Sequence, residues 1–303
     1  MANIPSWVYK LLIVLATIIW GFSFVVMKDV VAVLPPAWLL GMRFLFAGAL
    51  LLVILRKRVM RFCSRKVVTY GFILGVLDFT AFWLQTVGLK HTTPGINAFL
   101  TATYCVLVPF AWWLIARKRP TAFNIVAAIV AVCGIWLVSV SSSGETLSIG
   151  FGEAMTLGCA VAFAAHIVAV SKFAQKCDAL VLTVFQFIAE GALGIVFGAA
   201  TETFPGITVF TPEIIGQMLF LAVFASVVAF GIQNVSLAHV PPTQASLLLS
   251  LESVFGVVFS ILLYGEQMTL RLVVGFVLIF AAIVISETLP LKEKPCRRKT
   301  TSS

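Results

Sequence analysis

Three carboxylates and one guanidinium lie deep in otherwise apolar sequence: Asp78, Glu190, Glu252 and Arg43. A charge in such surroundings is costly, so it faces a partner or a solvent-filled cavity. Asp78 is followed by Phe82 and Gln85 at i+4 and i+7, one face of a helix. An acid, an aromatic ring and an amide on one face suit a pocket for an amphipathic solute. Trp20, Ser23 and Phe24 share another apolar run, His166 follows Phe163 by one helical turn, and Gln233 and Asn234 are adjacent in a third run. With Glu252 these residues make a candidate substrate-binding set. The competing reading pairs the charges across helices, Arg43 with Asp78 or Glu190. Arg43 also lies near enough to one end of its run to snorkel. His166 reads more readily as a packed, hydrogen-bonded residue than as a proton relay.

Other chemistry is missing. The chain has no Gly-rich phosphate loop and neither an HExxH nor a GxSxG motif. Its six cysteines form no CxxC or Cys/His spacing, so neither a disulfide framework nor a metal site is expected. No cofactor is implied, and an enzyme is not expected. Hydrophobic residues make up 61% of the chain and charged ones 11%, against roughly half and a quarter in a soluble domain. The net charge of +9 comes from short clusters between apolar runs, the orientation signature of a membrane protein rather than a nucleic-acid stripe.

The elements that must position these residues are membrane spans. A crossing helix needs roughly 20 apolar residues. Ten stretches qualify: 11–33, 37–55, 67–89, 95–115, 121–140, 149–170, 179–200, 213–237, 243–263 and 270–287. The first follows Lys10 without a small-residue cleavage site, so it reads as a retained helix. Of the 21 Lys and Arg, seventeen fall on one side of this layout. Lys28, Lys90 and Arg271 fall on the other, and Arg43 lies within helix two. That bias places both termini in the cytoplasm. Residues 288–303 read as a basic, disordered cytoplasmic tail.

The chain also repeats. At an offset of 148 residues, Gln85 meets Gln233, His91 meets His239 and Pro94 meets Pro242; at 143, Trp20 meets Phe163 and Arg43 meets Gln186. The halves run 8–140 and 149–287. Five helices per half is an odd number, so the copies lie upside down relative to each other, a frequent transporter architecture. The expected fold is all-α and polytopic: ten transmembrane helices as two inverted five-helix repeats around a central cavity.

The segments Trp20-Gly21-Phe22-Ser23-Phe24 with Lys28, Arg43-Phe44, Leu251-Glu252-Ser253-Val254 and Tyr264-Gly265-Glu266 resemble the EamA type of the drug/metabolite transporter superfamily. The resemblance covers nearly the whole chain. It implies a basket of helices whose cavity is lined by helices one, three, four, six, eight and nine. It also implies export of small metabolites such as amino acids across the cytoplasmic (inner) membrane, with some members importing. Two departures stand out. Ser253 follows Glu252 where the family often has Pro, and Arg117-Lys118 replaces the Gly-Glu that often follows helix four. The expected function is a secondary transporter working by alternating access, either proton-coupled or facilitated, with membrane lipid and a small solute as its partners. The alternatives are an importer or facilitator, or a non-transporting multi-helix membrane protein.

Overall fold

A computed structural model describes residues 5–116, 119–139, 149–174, 176–237 and 248–288. The turn holding His239, the Pro241-Pro242 pair and the basic tail lie outside the described residues. No β-ladder forms among the described residues, which are almost wholly helical.

The chain opens with α1 (Ser6–Val33) and α2 (Pro36–Ile54), separated by Leu34 and Pro35. Pro36 sits at the first helical position, where its missing N–H costs nothing. A short basic helix, α3 (Arg56–Phe62), leads to α4 (Arg65–His91), whose Ser64 cap accepts from the Val67 N–H. Thr93 caps α5 (Pro94–Ala102) in the same way, through the Ile96 N–H. Expected helix four is thus two pieces, α5 and α6 (Tyr104–Ala116), meeting at Thr103, and Pro109 lies inside the second. Then come α7 (Ala122–Ser139), α8 (Phe151–Ala174) and α9 (Ala179–Thr201). The next span is α10 (Pro212–Leu219), a π-helical stretch Phe220–Val228, and α11 (Ala229–Leu237). The described part of the ninth is α12 (Leu251–Phe259), running into a π-helical turn Ser260–Tyr264. The last helix is α13 (Leu270–Thr288).

Every range expected from the hydropathy pattern holds helix. Seven are long and apolar enough to cross a membrane, and three shorter apolar helices accompany them. Val132, Val196, Leu262 and Val277 are all more than 60% exposed, a surface that belongs in lipid rather than water.

Packing runs mostly between the halves. α2 lies along α9, α7 along α13, and α4 along both α8 and α9, while α1 lies along α11 and α12. Small residues permit the closest crossings. A Cβ on Gly41 would stand 2.7 Å from the Ile195 nitrogen, and one on Gly134 2.8 Å from the Gly275 carbonyl. Only glycine lets those backbones meet, as expected where lipid supplies no hydrophobic drive between helices. One core forms around Phe44, Leu40 and Phe187, on α2 and α9. A second forms around Leu100, Ile279 and Ile283.

Candidate functional site

Asp78 is fully buried at mid-helix on α4. Gln186 of α9 donates from Nε2 to its Oδ2 at 2.6 Å. His166 of α8 places Nδ1 3.5 Å from its Oδ1, too far and too poorly aimed to leave that oxygen satisfied. One turn beyond Gln186, Glu190 is also fully buried, and no donor reaches either of its oxygens. It lies within electrostatic reach of Asp78 and Arg43. Four helices, two from each half, therefore converge on one dry polar cluster.

Arg43 departs from its expected reach toward the helix end. It is buried on α2, and Nε donates to Ser226 Oγ at 2.9 Å while an Nη contacts Met27 Sδ at 3.3 Å. The guanidinium also stands over the rings of Phe44 and Phe82, 4.8 and 5.3 Å from their centroids. Ser226 is available because it lies in the π-helical stretch, where its hydroxyl bonds back to the Leu221 carbonyl five residues earlier. Arg43 thus makes no hydrogen bond to either acid.

Gln85 shares Asp78's helix stripe but not its neighbours. Its Nε2 donates to Thr101 Oγ1 at 3.2 Å, and its carbonyl accepts from Asn97 Nδ2, which also donates to Thr156 Oγ1 at 2.8 Å. Gln85 belongs to a network that ties α4 to α5 and α8 and leaves Asn97 Oδ1 without a partner.

The aromatic residues form a chain of rings across the interior. Trp20 meets Phe230 edge-on at 5.3 Å, and its Nε1 donates to the Ala225 carbonyl at 2.7 Å. Phe230 meets Phe187, Phe187 meets Phe44, Phe44 meets Phe82 and Phe82 meets Phe163, each at 5.1 to 5.3 Å. Trp20, Phe82, Phe163, Gln233 and Glu252 keep part of their surface accessible despite their depth, whereas Ser23, Phe24 and His166 are buried. Ser23 bonds to the Trp20 carbonyl on its own helix. Glu252 lies in the first turn of α12. The Asn234 side chain lies outside the described residues, though its backbone continues α11.

A cavity of about 530 Å³ opens elsewhere, between Phe22, Asp29, Glu213, Gln217 and Tyr264. None of the expected site residues lines it. The polar cluster and ring chain carry the stronger case, because they hold Asp78, His166, Trp20, Phe82 and Phe163 of the expected set.

Sequence reasoning named Asp78, His166, Phe82, Phe163 and Trp20; the structure sets His166 beside Asp78 and Phe163 against Phe82, and joins Trp20 to Phe82 only through Phe230, Phe187 and Phe44. It omitted Gln186 and left Glu190 out of the set. The signal for Gln186 was its alignment with Arg43 between the halves. Among the described residues no group of His, Cys, Asp and Glu could hold a metal ion.

The model of the EamA-like transporter family matches residues 7–140 and again 150–288. An uncharacterized transporter of Archaeoglobus fulgidus is 29% identical over 89% of this chain and 83% of its own length. The uncharacterized transporter YvbV of Bacillus subtilis is 26% identical over 95% and 94%, and the protein PagO of Salmonella typhimurium 26% over 95% and 96%. A solved structure titled only as a crystal structure of a protein aligns with a TM-score of 0.66, covering 93% of this chain and 98% of that one. At 17% identity it speaks for the fold alone. A helical, lipid-suited surface and two family matches spanning most of the sequence lead to one assignment: this chain is a multi-pass membrane protein that belongs to the EamA-like transporter family.

Proposed function

We propose that the protein is a secondary transporter that exports a small organic metabolite, such as an amino acid, across the cytoplasmic membrane by alternating access. Ten crossings form two inverted five-helix repeats, residues 8–140 and 149–287, with both termini in the cytoplasm. The solute occupies the interior between the ring chain and the accessible side chains of Trp20, Phe82, Phe163, Gln233 and Glu252. The rings cover its apolar body, and the carboxylate and amide take its polar ends.

The observation that carries this reading is the exchange symmetry of the packing. Swapping the halves turns the α4–α8 contact into α11–α1, turns α5–α8 into α12–α1, and returns α2–α9 and α7–α13 to themselves; all these contacts exist. Two like blocks joined mainly through each other have two equivalent ways to lean, which is what alternating access requires.

The test uses the full chain in proteoliposomes loaded with a panel of radiolabelled amino acids. Efflux above that of empty liposomes is expected, at least tenfold slower in Trp20→Ala and Glu252→Gln. Equal rates in all three proteins would overturn the site. Cysteine-accessibility labelling tests the topology: the His91 and His239 turns are expected on opposite faces of the membrane.

A further inference from the structure

We propose that Asp78 and Glu190 form a proton-binding site in which one proton is shared between the two carboxyls, and that this proton is the coupling ion. The second half of that statement rests on the transporter reading above; the first does not.

The charge balance comes first. Arg43 faces the cluster from α2, Asp78 from α4, His166 from α8 and Glu190 with Gln186 from α9, while Ser226 of the π-helical stretch adds only a hydroxyl. Glu252 of α12 keeps part of its surface accessible and stands outside this count. Two carboxylates and one guanidinium leave a surplus negative charge, and a dry interior tolerates none. One bound proton makes the cluster neutral with His166 uncharged.

Geometry then places the proton. Gln186, which bonds Asp78 Oδ2, stands one helical turn before Glu190, and a Cβ on Gly75, one turn before Asp78, would stand 3.0 Å from the Glu190 nitrogen, so both carboxyls sit at one crossing of α4 and α9. Asp78 Oδ1 and both Glu190 oxygens stand without a donor. The Gln186 amide donates to Asp78 Oδ2 and no donor reaches Glu190, so we place the proton on Glu190. A Glu190 hydroxyl donating to Asp78 gives that residue its missing donor and removes the repulsion. His166 faces the same carboxyl from the second half, with Nδ1 3.5 Å from Asp78 Oδ1 and Nε2 without a partner. One proton enters when the cluster opens to one side, and the same proton leaves when it opens to the other.

The test is infrared spectroscopy of the purified full chain in lipid nanodiscs at neutral pH. In a Glu252→Gln background, which removes the other deep glutamate, a carboxylic-acid C=O band is expected, lost on adding Glu190→Gln and retained on adding Asp29→Asn; a cooperative melting transition in each variant confirms that it is folded. In the same background ¹³C-carboxyl glutamate is expected to shift the band, whereas ¹³C-carboxyl aspartate leaves it in place. No band in Glu252→Gln, a band surviving unchanged when Glu190→Gln is added, or an aspartate-dependent shift overturns the site. For coupling, an imposed pH gradient is expected to drive accumulation of the radiolabelled amino-acid panel in wild type and not in Glu190→Gln, while exchange persists in both. Wild-type flux that ignores the gradient overturns the coupling. An intact band with no flux from any liposome refutes the transporter reading and its coupling, and leaves the proton site standing.

Discussion

Glu266 and Glu190 are both carboxylates in contact with the opposite half, and they live under opposite rules. Glu266 follows the π-helical turn Ser260–Tyr264, just after Gly265 in the left-handed region at φ 72°. Its oxygens accept from Thr93 Oγ1, the Gly95 N–H and Ser260 Oγ. It closes the N-terminus of α5, where free N–H groups and the helix dipole favour an anion. Glu202 does the same for α2, taking the Ala37 N–H at 3.0 and 3.1 Å and the Trp38 N–H at 3.3 Å. Glu190 is equally enclosed and receives no donor. A carboxylate with three donors is a fastener, whereas one with none holds nothing together. The repeat sharpens the contrast. At the 148-residue offset, the counterparts of Thr93 and Glu266 are Pro241 and Lys118, so neither the hydroxyl nor the acid of this fastening exists in the other copy.

The largest expected effect is at Glu266. Glu266→Ala strands three donors in a buried place and should cost about 3 kcal/mol of stability, read as a lowered melting temperature of the detergent-purified chain. Glu202 is half-buried and caps α2 with a single side chain, so Glu202→Ala should cost about 1 kcal/mol. A smaller effect belongs to the ion pair of Arg58 and Asp178 at 2.8 Å, where the arginine is largely exposed. Burial alone would raise the Asp178 carboxyl. The Arg58 hydrogen bonds and the Val181 N–H outweigh it and hold the group below its ordinary value. A depressed carboxyl contributes stability above its unfolded pKa of about 3.9 and loses it as pH falls through the folded value. Arg58→Ala should therefore melt lower than wild type by about 0.5 kcal/mol at neutral pH, and the gap should close in acid. Glu190→Gln should change stability least, by within about 0.5 kcal/mol, because a neutral amide of nearly the same shape replaces a neutral carboxyl and can still donate to Asp78. A large loss there would erase the contrast with Glu266.

The helical ranges were legible because each is a long apolar run ended by proline or charge: Pro36, Pro94 and Pro212 each stand in the first helical turn. The depth of Asp78 was equally plain. Its partnership with Gln186 was not, since the two lie 108 residues apart and no local spacing encodes which helices touch. Gln85 misled for a geometric reason. Seven residues along a helix is about 10 Å of rise, enough to leave one neighbourhood and enter another, so a shared stripe is not a shared site. Arg43 read as a residue able to reach a polar boundary, but Ser226 and two rings hold it inside. That hydroxyl's position depends on the π-helical stretch, whose sequence, FLAVFASVV, carries no period distinguishing it from an ordinary helix.

The π-helical stretch Phe220–Val228 has a mechanical consequence. A π turn accommodates one residue more than an α turn, so it stores a step of slack in mid-span, with Trp20 moored to the Ala225 carbonyl inside it. Tightening that turn to α geometry would swing everything C-terminal of it by about 100° and draw it along by about 1.5 Å. Gln233, two turns downstream, would sweep to a new bearing while Arg43 lost its grip on Ser226, so a single ratchet tooth would reset both walls of the interior together.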